Sequence, residues 1–195
     1  MRGPAGFLLI ISGPSGVGKT TIAHAIADRV ADTVVSVSTT TRRQTAADLD
    51  GVDYTFVDEA EFLSKIERGA FLEHAEVFGR RYGTPRDWVE ARLDEGRVVL
   101  LEIDVQGAGQ VRRAMPDAYG IFILPPSEDE LLQRLRDRKR EDEAAIQRRF
   151  AEAKREIAEA HASGAYDAFV VNRELEAAID EAVILVEQAR VARRG

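Results

Sequence analysis

The sequence predicts an α/β fold: a parallel-sheet core with helices on both faces, interrupted by an inserted, mainly β lobe and by a helical lid. Three observations carry this. Apolar runs of strand length alternate with helix-period segments, the pattern of a parallel sheet with helical crossovers. The first apolar run opens onto a glycine-rich loop that leads into a helix. Two stretches break the alternation, one made of extended pieces and one dense in charge.

Residues 7–11, Phe7-Leu8-Leu9-Ile10-Ile11, are uninterrupted by polar side chains and predict a buried strand. Residues 21–27 predict a helix, and residues 34–38 a second strand. The stretch 39–51 is polar and has neither period. Residues 52–57 roughly alternate, predicting a strand with one face outward. Residues 58–68 predict a helix with an acidic cap and Phe62, Leu63 and Ile66 on one side, closed by Gly69. An extended pattern resumes over 70–78, and 79–83 predicts a turn.

The core pattern then returns. Residues 87–95 predict a helix, 98–104 a strand, 106–114 a helix and 121–124 a buried strand stopped by Pro125-Pro126. Ser127 to Glu130 reads as a capping box, and Leu131, Leu132 and Leu135 give the following helix an apolar side. Residues 136–143 are almost entirely charged, and a second helix runs over about 142–161. Two helices joined by a charge knot fit a mobile lid. Residues 168–172 predict the last strand. Residues 174–193 predict a terminal helix, with Leu175, Ile179, Val183, Val186 and Ala189 at helical spacing.

Composition narrows the function. The chain has 195 residues, 45% of them hydrophobic and 31% charged, which suits one globular domain with a substantial core. It has no cysteine, and its 3 histidines (His24, His74, His161) lack metal-ligand spacing. No run is long and apolar enough to span a bilayer, and the N-terminus lacks a signal-peptide plan, so a cytoplasmic, membrane-free protein is expected. A net charge of −7 argues against a nucleic-acid-binding surface. Basic residues nevertheless cluster at Arg42-Arg43, at Arg80-Arg81, and from Arg134 through Arg140 with Arg148-Arg149.

The chemistry starts in the loop. Gly13-Pro14-Ser15-Gly16-Val17-Gly18-Lys19-Thr20 fits the phosphate-loop pattern G-x-x-x-x-G-K-[ST], between the strand and the helix that the pattern requires. Backbone N–H groups and a helix N-terminus cradle phosphate oxygens, Lys19 reaches the outer phosphates, and the Thr20 hydroxyl serves Mg²⁺. The loop implies a nucleoside triphosphate. A second signal is Glu102-Ile103-Asp104 at the end of strand 98–104, where ligands bind in open parallel sheets. Strand period puts both acids on one face, where they can hold metal-bound water or hydrogen-bond a base.

Further motifs resemble those of the guanylate kinase family over essentially the whole chain. The loop reads as that family's G-P-S-G-x-G-K-[ST]. Val37-Ser38-Thr39-Thr40-Thr41-Arg42 resembles V-S-x-T-T-R, and Gly51 to Val57 resembles G-x-x-Y-x-F-V. Phe71-Leu72-Glu73-His74-Ala75-Glu76-Val77-Phe78-Gly79 with Tyr82-Gly83-Thr84 resembles F-[LI]-E-x-A-x-[VF]-x-G-x-x-Y-G-[TS]. Ile103-Asp104-Val105-Gln106-Gly107, Phe122 to Ser127 and Val171-Asn172 match as well. Such order and spacing is not shared by phosphate-loop kinases at large.

The resemblance implies a P-loop NTPase core and the reaction ATP + GMP = ADP + GDP with Mg²⁺. The core would be residues 1–35, 85–126 and 163–195, the GMP-binding lobe 36–84 and the lid 127–162, acting as a monomer or homodimer. ATP would lie on Gly13, Pro14, Ser15, Gly16, Val17, Gly18, Lys19, Thr20 and Thr21, with Arg134 from the lid and Asn172 near the adenine. Ser38, Arg42, Tyr54 and Tyr82 would hold the GMP phosphate. Glu73, Thr84 and Asp104 would read guanine, with Glu102 on the same side. Lys19, Arg42, Arg138 and Arg149 would act on the transferred group.

Departures gather on the GMP-phosphate side. Where the family usually reads x-P-R-x-G-E after its T-T-R, this chain has Arg43-Gln44-Thr45-Ala46-Ala47-Asp48. Thr45 thus replaces an arginine that would contact the GMP phosphate, and a bidentate charged contact is lost. Arg43, two positions earlier, is the candidate substitute. Glu102 stands for the usual aspartate, and Lys139 for a glycine of the lid knot. The altered clamp keeps two alternatives in view: a paralogous nucleoside monophosphate kinase with weak or altered acceptor use, and a non-catalytic binding module of the same fold. The retained Lys19, Thr20 and lid arginines weigh against the second.

Overall fold

The computed structural model describes residues 6–77, 79–137 and 142–193. The strand β1 (Phe7–Ser12) is buried along its whole length, as its apolar run requires. It hands the chain through the glycine-rich loop to α1 (Lys19–Arg29), and β2 (Thr33–Val35) follows. The chain then leaves the core through β3 (Thr39–Thr40), β4 (Thr55–Phe56), α2 (Glu59–Glu67), β5 (Phe71–Val77) and β6 (Arg80–Pro85). It returns through α3 (Arg86–Asp94), β7 (Val98–Glu102), α4 (Val105–Ala114) and β8 (Tyr119–Leu124). A helical pair, α5 (Glu128–Asp137) and α6 (Glu143–Ser163), precedes β9 (Ala168–Val171) and α7 (Leu175–Ala192).

The core sheet has the order β2-β7-β1-β8-β9, and its pairings are parallel. Strand alternation sorts the side chains of β1. Phe7, Leu9 and Ile11 pack with Ile22 and Ile26 of α1 and Ile179 and Val186 of α7. Leu8 and Ile10 take the other face, with Val89 of α3, Val111 of α4 and Ala160 of α6. This double burial makes β1 a fixed mount for the loop at its C-terminal end. The second sheet has the order β4-β3-β6-β5, with β5 and β6 paired antiparallel. Its packing centres on Phe62 and Phe71, whose rings lie 4.6 Å apart. Leu131 and Leu135 of α5 meet Ile146 and Ala153 of α6 in a small cluster of their own. None of the described helices is long and apolar enough to cross a membrane.

Four expectations need correction. The stretch 39–51 is not wholly irregular: Thr39 and Thr40 pair with β4 and β6, because sheet partners far along the chain override a weak local pattern. The strand expected over 52–57 shrinks to Thr55–Phe56, and Val52 lies in a turn at 64% exposure. Residues 80–83, expected as a turn, belong to β6, and the reversal is at Gly79 (φ 70). Finally, β7 stops at Glu102. Asp104 is the N-cap of α4, accepting a 2.7 Å bond from the Gly107 N–H, so strand period does not place it beside Glu102.

Candidate active site

The loop between β1 and α1 is braced by side chains from the end of β9 and from α6, with α5 behind the first. Asn172, just beyond β9 and 5% exposed, donates from Nδ2 to the Val17 carbonyl at 2.7 Å, and its own N–H donates to Leu124 O at 2.8 Å. Gly18 caps α1 in the left-handed region (φ 99), and a Cβ there would lie 2.7 Å from Asn172 Nδ2. From α5, Arg134 Nη2 donates to the Asn172 carbonyl at 2.9 Å. From α6, Arg149 Nη2 donates to Ser15 Oγ. Lys19 Nζ reaches back to the Pro14 carbonyl at 3.3 Å. Helix α6 and the end of a core strand therefore bond the loop directly, and α5 supports it through Asn172.

Thr20 lies in the first turn of α1, and its Oγ1 donates to Glu102 Oε1 at 2.7 Å. A hydroxyl and a carboxylate thus face each other where β7 ends beside the loop, a pairing of hard oxygen donors suited to a divalent cation. Thr21 is exposed on the same first turn of α1.

A cavity of about 330 Å³ lies between this loop and the second sheet. Gly13, Ser15 and Lys19 line it from the loop, Glu102 and Asp104 from the core, and Arg149 from α6. Ser38, Tyr54, Glu73 and Tyr82 line it from the lobe. Tyr54 and Tyr82 meet edge to face with ring centroids 5.8 Å apart. Glu73, 4% exposed, accepts a 2.6 Å bond from the Thr84 hydroxyl, itself buried behind it. Burial pushes the Glu73 carboxyl up to about 7; the Thr84 hydrogen bond opposes the shift, and the charge of Asp104 reinforces it.

Arg42 lies behind Tyr54 rather than on the cavity wall. Its guanidinium carbon sits 5.0 Å from the Tyr54 ring centre and 5.4 Å from that of Phe56. Its fork closes on Asp48, with Nη1 at 3.0 Å and Nη2 at 2.8 Å from the two carboxylate oxygens. Those bonds, with others from the Thr45 hydroxyl and N–H, hold Asp48 well below the usual carboxylate range. Arg43 is exposed on the same turn. Arg138 and Lys139, singled out in the sequence, lie outside the described residues.

The cavity also has a wall that the sequence reading missed. Glu152, Glu156 and Glu159 of α6 line it together with Arg149. Burial pushes Glu156 up to about 7, opposed by the charge of Lys19. The signal was present: 149, 152 and 156 share one helix face with the arginine already identified.

A phosphate loop at the mouth of a parallel sheet, faced by a separate lobe and a helical pair, defines a nucleotide-binding phosphotransferase. The family model for guanylate kinase matches residues 6–189. A guanylate kinase of Myxococcus xanthus is 46% identical over 189 residues, 96% of this chain and 90% of that protein. One from Coxiella burnetii is 44% identical over 186 residues, 95% of this chain and 89% of that protein. The crystal structure of guanylate kinase from Anaplasma phagocytophilum superposes with a TM-score of 0.79 at 36% identity, covering 97% of this chain and 89% of that one. The chain belongs to the guanylate kinase family.

Proposed function

We propose that the chain transfers the γ-phosphoryl group of ATP to GMP, yielding ADP and GDP. The observation that carries this is one cavity walled by Lys19 of the phosphate loop and by the buried carboxyl of Glu73. The first suits a triphosphate, the second a base that offers N–H donors. A carboxylate accepts from guanine N1–H and N2–H₂ together, a pairing adenine does not offer. Family membership supports the same assignment.

Each group has a role within that reading. Loop N–H groups and Lys19 hold the triphosphate of ATP, while Arg149 sits where it can follow the moving group. Phosphoryl transfer asks the protein chiefly for positioning and for positive charge around that group. Ser38, Tyr54 and Tyr82 present hydroxyls toward the acceptor phosphate, and Arg42 supplies charge from behind them. Thr20 and Glu102 would hold Mg²⁺, which draws charge from the phosphate oxygens when bound. Residues 36–84 act as the GMP-binding lobe and 127–162 as a lid, whose closure excludes water that would otherwise hydrolyse ATP.

The test is product identification. Purified chain incubated with ATP, Mg²⁺ and GMP is expected to give ADP and GDP in equal amounts by chromatography. Release of inorganic phosphate without GDP would contradict transfer to the acceptor.

A further inference from the structure

The strand that carries Glu73 is the outer strand of its sheet: among the described residues, β5 pairs with β6 on one side only. An outer strand presents unpaired backbone groups. At His74, the residue after Glu73, both groups are taken by one side chain of the core. Gln110 of α4 donates from Nε2 to the His74 carbonyl at 2.8 Å and accepts from the His74 N–H at 3.2 Å. The amide thus bonds the edge as a neighbouring strand would.

One turn earlier on α4 stands Gly107. A Cβ there would lie 2.7 Å from Glu73 Oε2 and 3.2 Å from its carboxyl carbon. The Glu73 carboxyl therefore rests against the glycine backbone, in space that no other residue leaves open. The same helix begins at Asp104, whose Oδ1 accepts the Gly107 N–H. Helix α4 thus touches both carboxyl groups of the base-reading wall and sets the distance between them. Thr84 fixes the other oxygen of Glu73 from the lobe side.

We infer that Gln110 and Gly107 are positioning residues for recognition of a purine that offers adjacent N1–H and 2-amino donors. Gln110 locks the lobe strand to the core helix, and Gly107 gives the Glu73 carboxyl its seat. This rests on the reading of Glu73 as the group that meets the base. A side chain at 107 displaces that carboxyl, and loss of the amide at 110 leaves the strand edge to water. Both changes act on the acceptor base and leave the phosphate loop alone.

The experiment compares GMP with inosine monophosphate, which lacks the 2-amino group, across Gly107→Ala, Gln110→Ala, Gln110→Met and Glu73→Gln, each checked for folding by thermal melting. Gln110→Met keeps the length of the side chain and removes only its hydrogen bonds. Gly107→Ala and both Gln110 variants are expected to raise KM for GMP by about ten-fold or more, the scale of one to two lost hydrogen bonds. KM for ATP and kcat at saturating GMP are expected to stay within about two-fold, and the preference for GMP over inosine monophosphate to shrink toward that of Glu73→Gln. Adding Gln110→Met to Glu73→Gln is expected to cost less than about two-fold more, because both act on one interaction. A preference that falls in Glu73→Gln but is unchanged in the Gln110 and Gly107 variants would overturn the inference and leave Glu73 as the reader. A preference unchanged in Glu73→Gln itself would overturn the reading of Glu73 and the inference with it.

Discussion

The Thr45 hydroxyl donates a hydrogen bond to Asp48 Oδ2 at 2.7 Å, and the same carboxylate receives the Arg42 fork. Thr45 is therefore tied into the support of Arg42. Arg42 is stacked on Tyr54, tied to Asp48 and not free to swing. Losing the carboxylate charge removes the clamp, whereas losing the Thr45 hydroxyl removes one of its bonds. Asp48→Asn is expected to raise KM for GMP by about ten-fold and Thr45→Ala by about two- to three-fold, in line with charged and neutral hydrogen bonds. Arg43→Ala is expected to leave KM for GMP unchanged, since Arg43 is exposed on that turn. Steady-state kinetics on the three variants decides this; a larger effect from Arg43→Ala would make Arg43 the substitute.

Asn172 satisfies the Val17 carbonyl inside the loop and closely approaches Gly18. Removing the amide leaves a buried acceptor unpaired, at a cost of about 1–3 kcal/mol. Asn172→Ala is expected to lower the melting temperature and to weaken ATP binding, leaving GMP binding near its starting value. Calorimetric titration with each nucleotide checks the asymmetry. Gly18→Ala is expected to be worse, because it combines a positive φ with a Cβ 2.7 Å from the same amide nitrogen.

The raised Glu73 carboxyl gives a pH dependence with a definite sign. Its folded value, about 7, lies above the ordinary 4.5, so the folded protein holds an extra proton between them. That contribution to stability is fully present below about 4.5 and is lost as pH rises through about 7. Glu73→Gln is expected to gain stability relative to the parent as pH rises from about 5 to 7, by up to about 1 kcal/mol for each pH unit, and to hold that gain above it. Binding runs the other way. Guanine donors favour the anion, so KM for GMP is expected to fall as pH rises from about 6 to 8. A flat profile in Glu73→Gln would tie the effect to this residue; a parallel slope in that variant would assign it elsewhere, with Glu156 the next group to test.

Arg149 bonds Ser15 of the phosphate loop from α6. An arginine that meets charge on the moving group is worth on the order of 10³-fold or more in rate. Arg149→Ala is expected to lower kcat by that order and to change KM for GMP by less than about three-fold. Arg149→Lys is expected to recover little, since lysine lacks the planar fork. Near parental turnover for Arg149→Ala would remove it from the mechanism.

The sequence was most legible where local chemistry dictates geometry. The apolar run of β1, the loop after it and Lys19 need little context, because glycine conformation and phosphate chemistry set the pattern. It was least legible in the lobe, where the short pair Thr39–Thr40 becomes a strand only through partners in β4 and, more than forty residues on, in β6, and where Arg80–Pro85 is a strand because it folds back on β5. Asp104 was misplaced on a strand because period alone does not mark where a strand gives way to a helix cap. The role of Asp48 was hidden for another reason. Its substitution was visible, but that it gathers Arg42 and Thr45 onto one carboxylate depends on a turn whose shape the residue types alone do not declare. Gln110 gave no signal, since nothing in the chain announces that a helix side chain will bond a strand edge.

One cavity joins the phosphate loop to the Glu73 carboxyl, and discrimination between acceptor bases follows from that arrangement if Glu73 meets the base. The most direct measurement is kcat/KM from ADP release with ATP, Mg²⁺ and GMP, dGMP, AMP, UMP and CMP in turn. Turnover of the two guanine nucleotides is expected at about 10³-fold or more above the others, the scale set by unpaired buried polar groups when the base is wrong. Equal turnover of AMP and GMP, or no turnover of any acceptor by a chain that binds ATP, would contradict it.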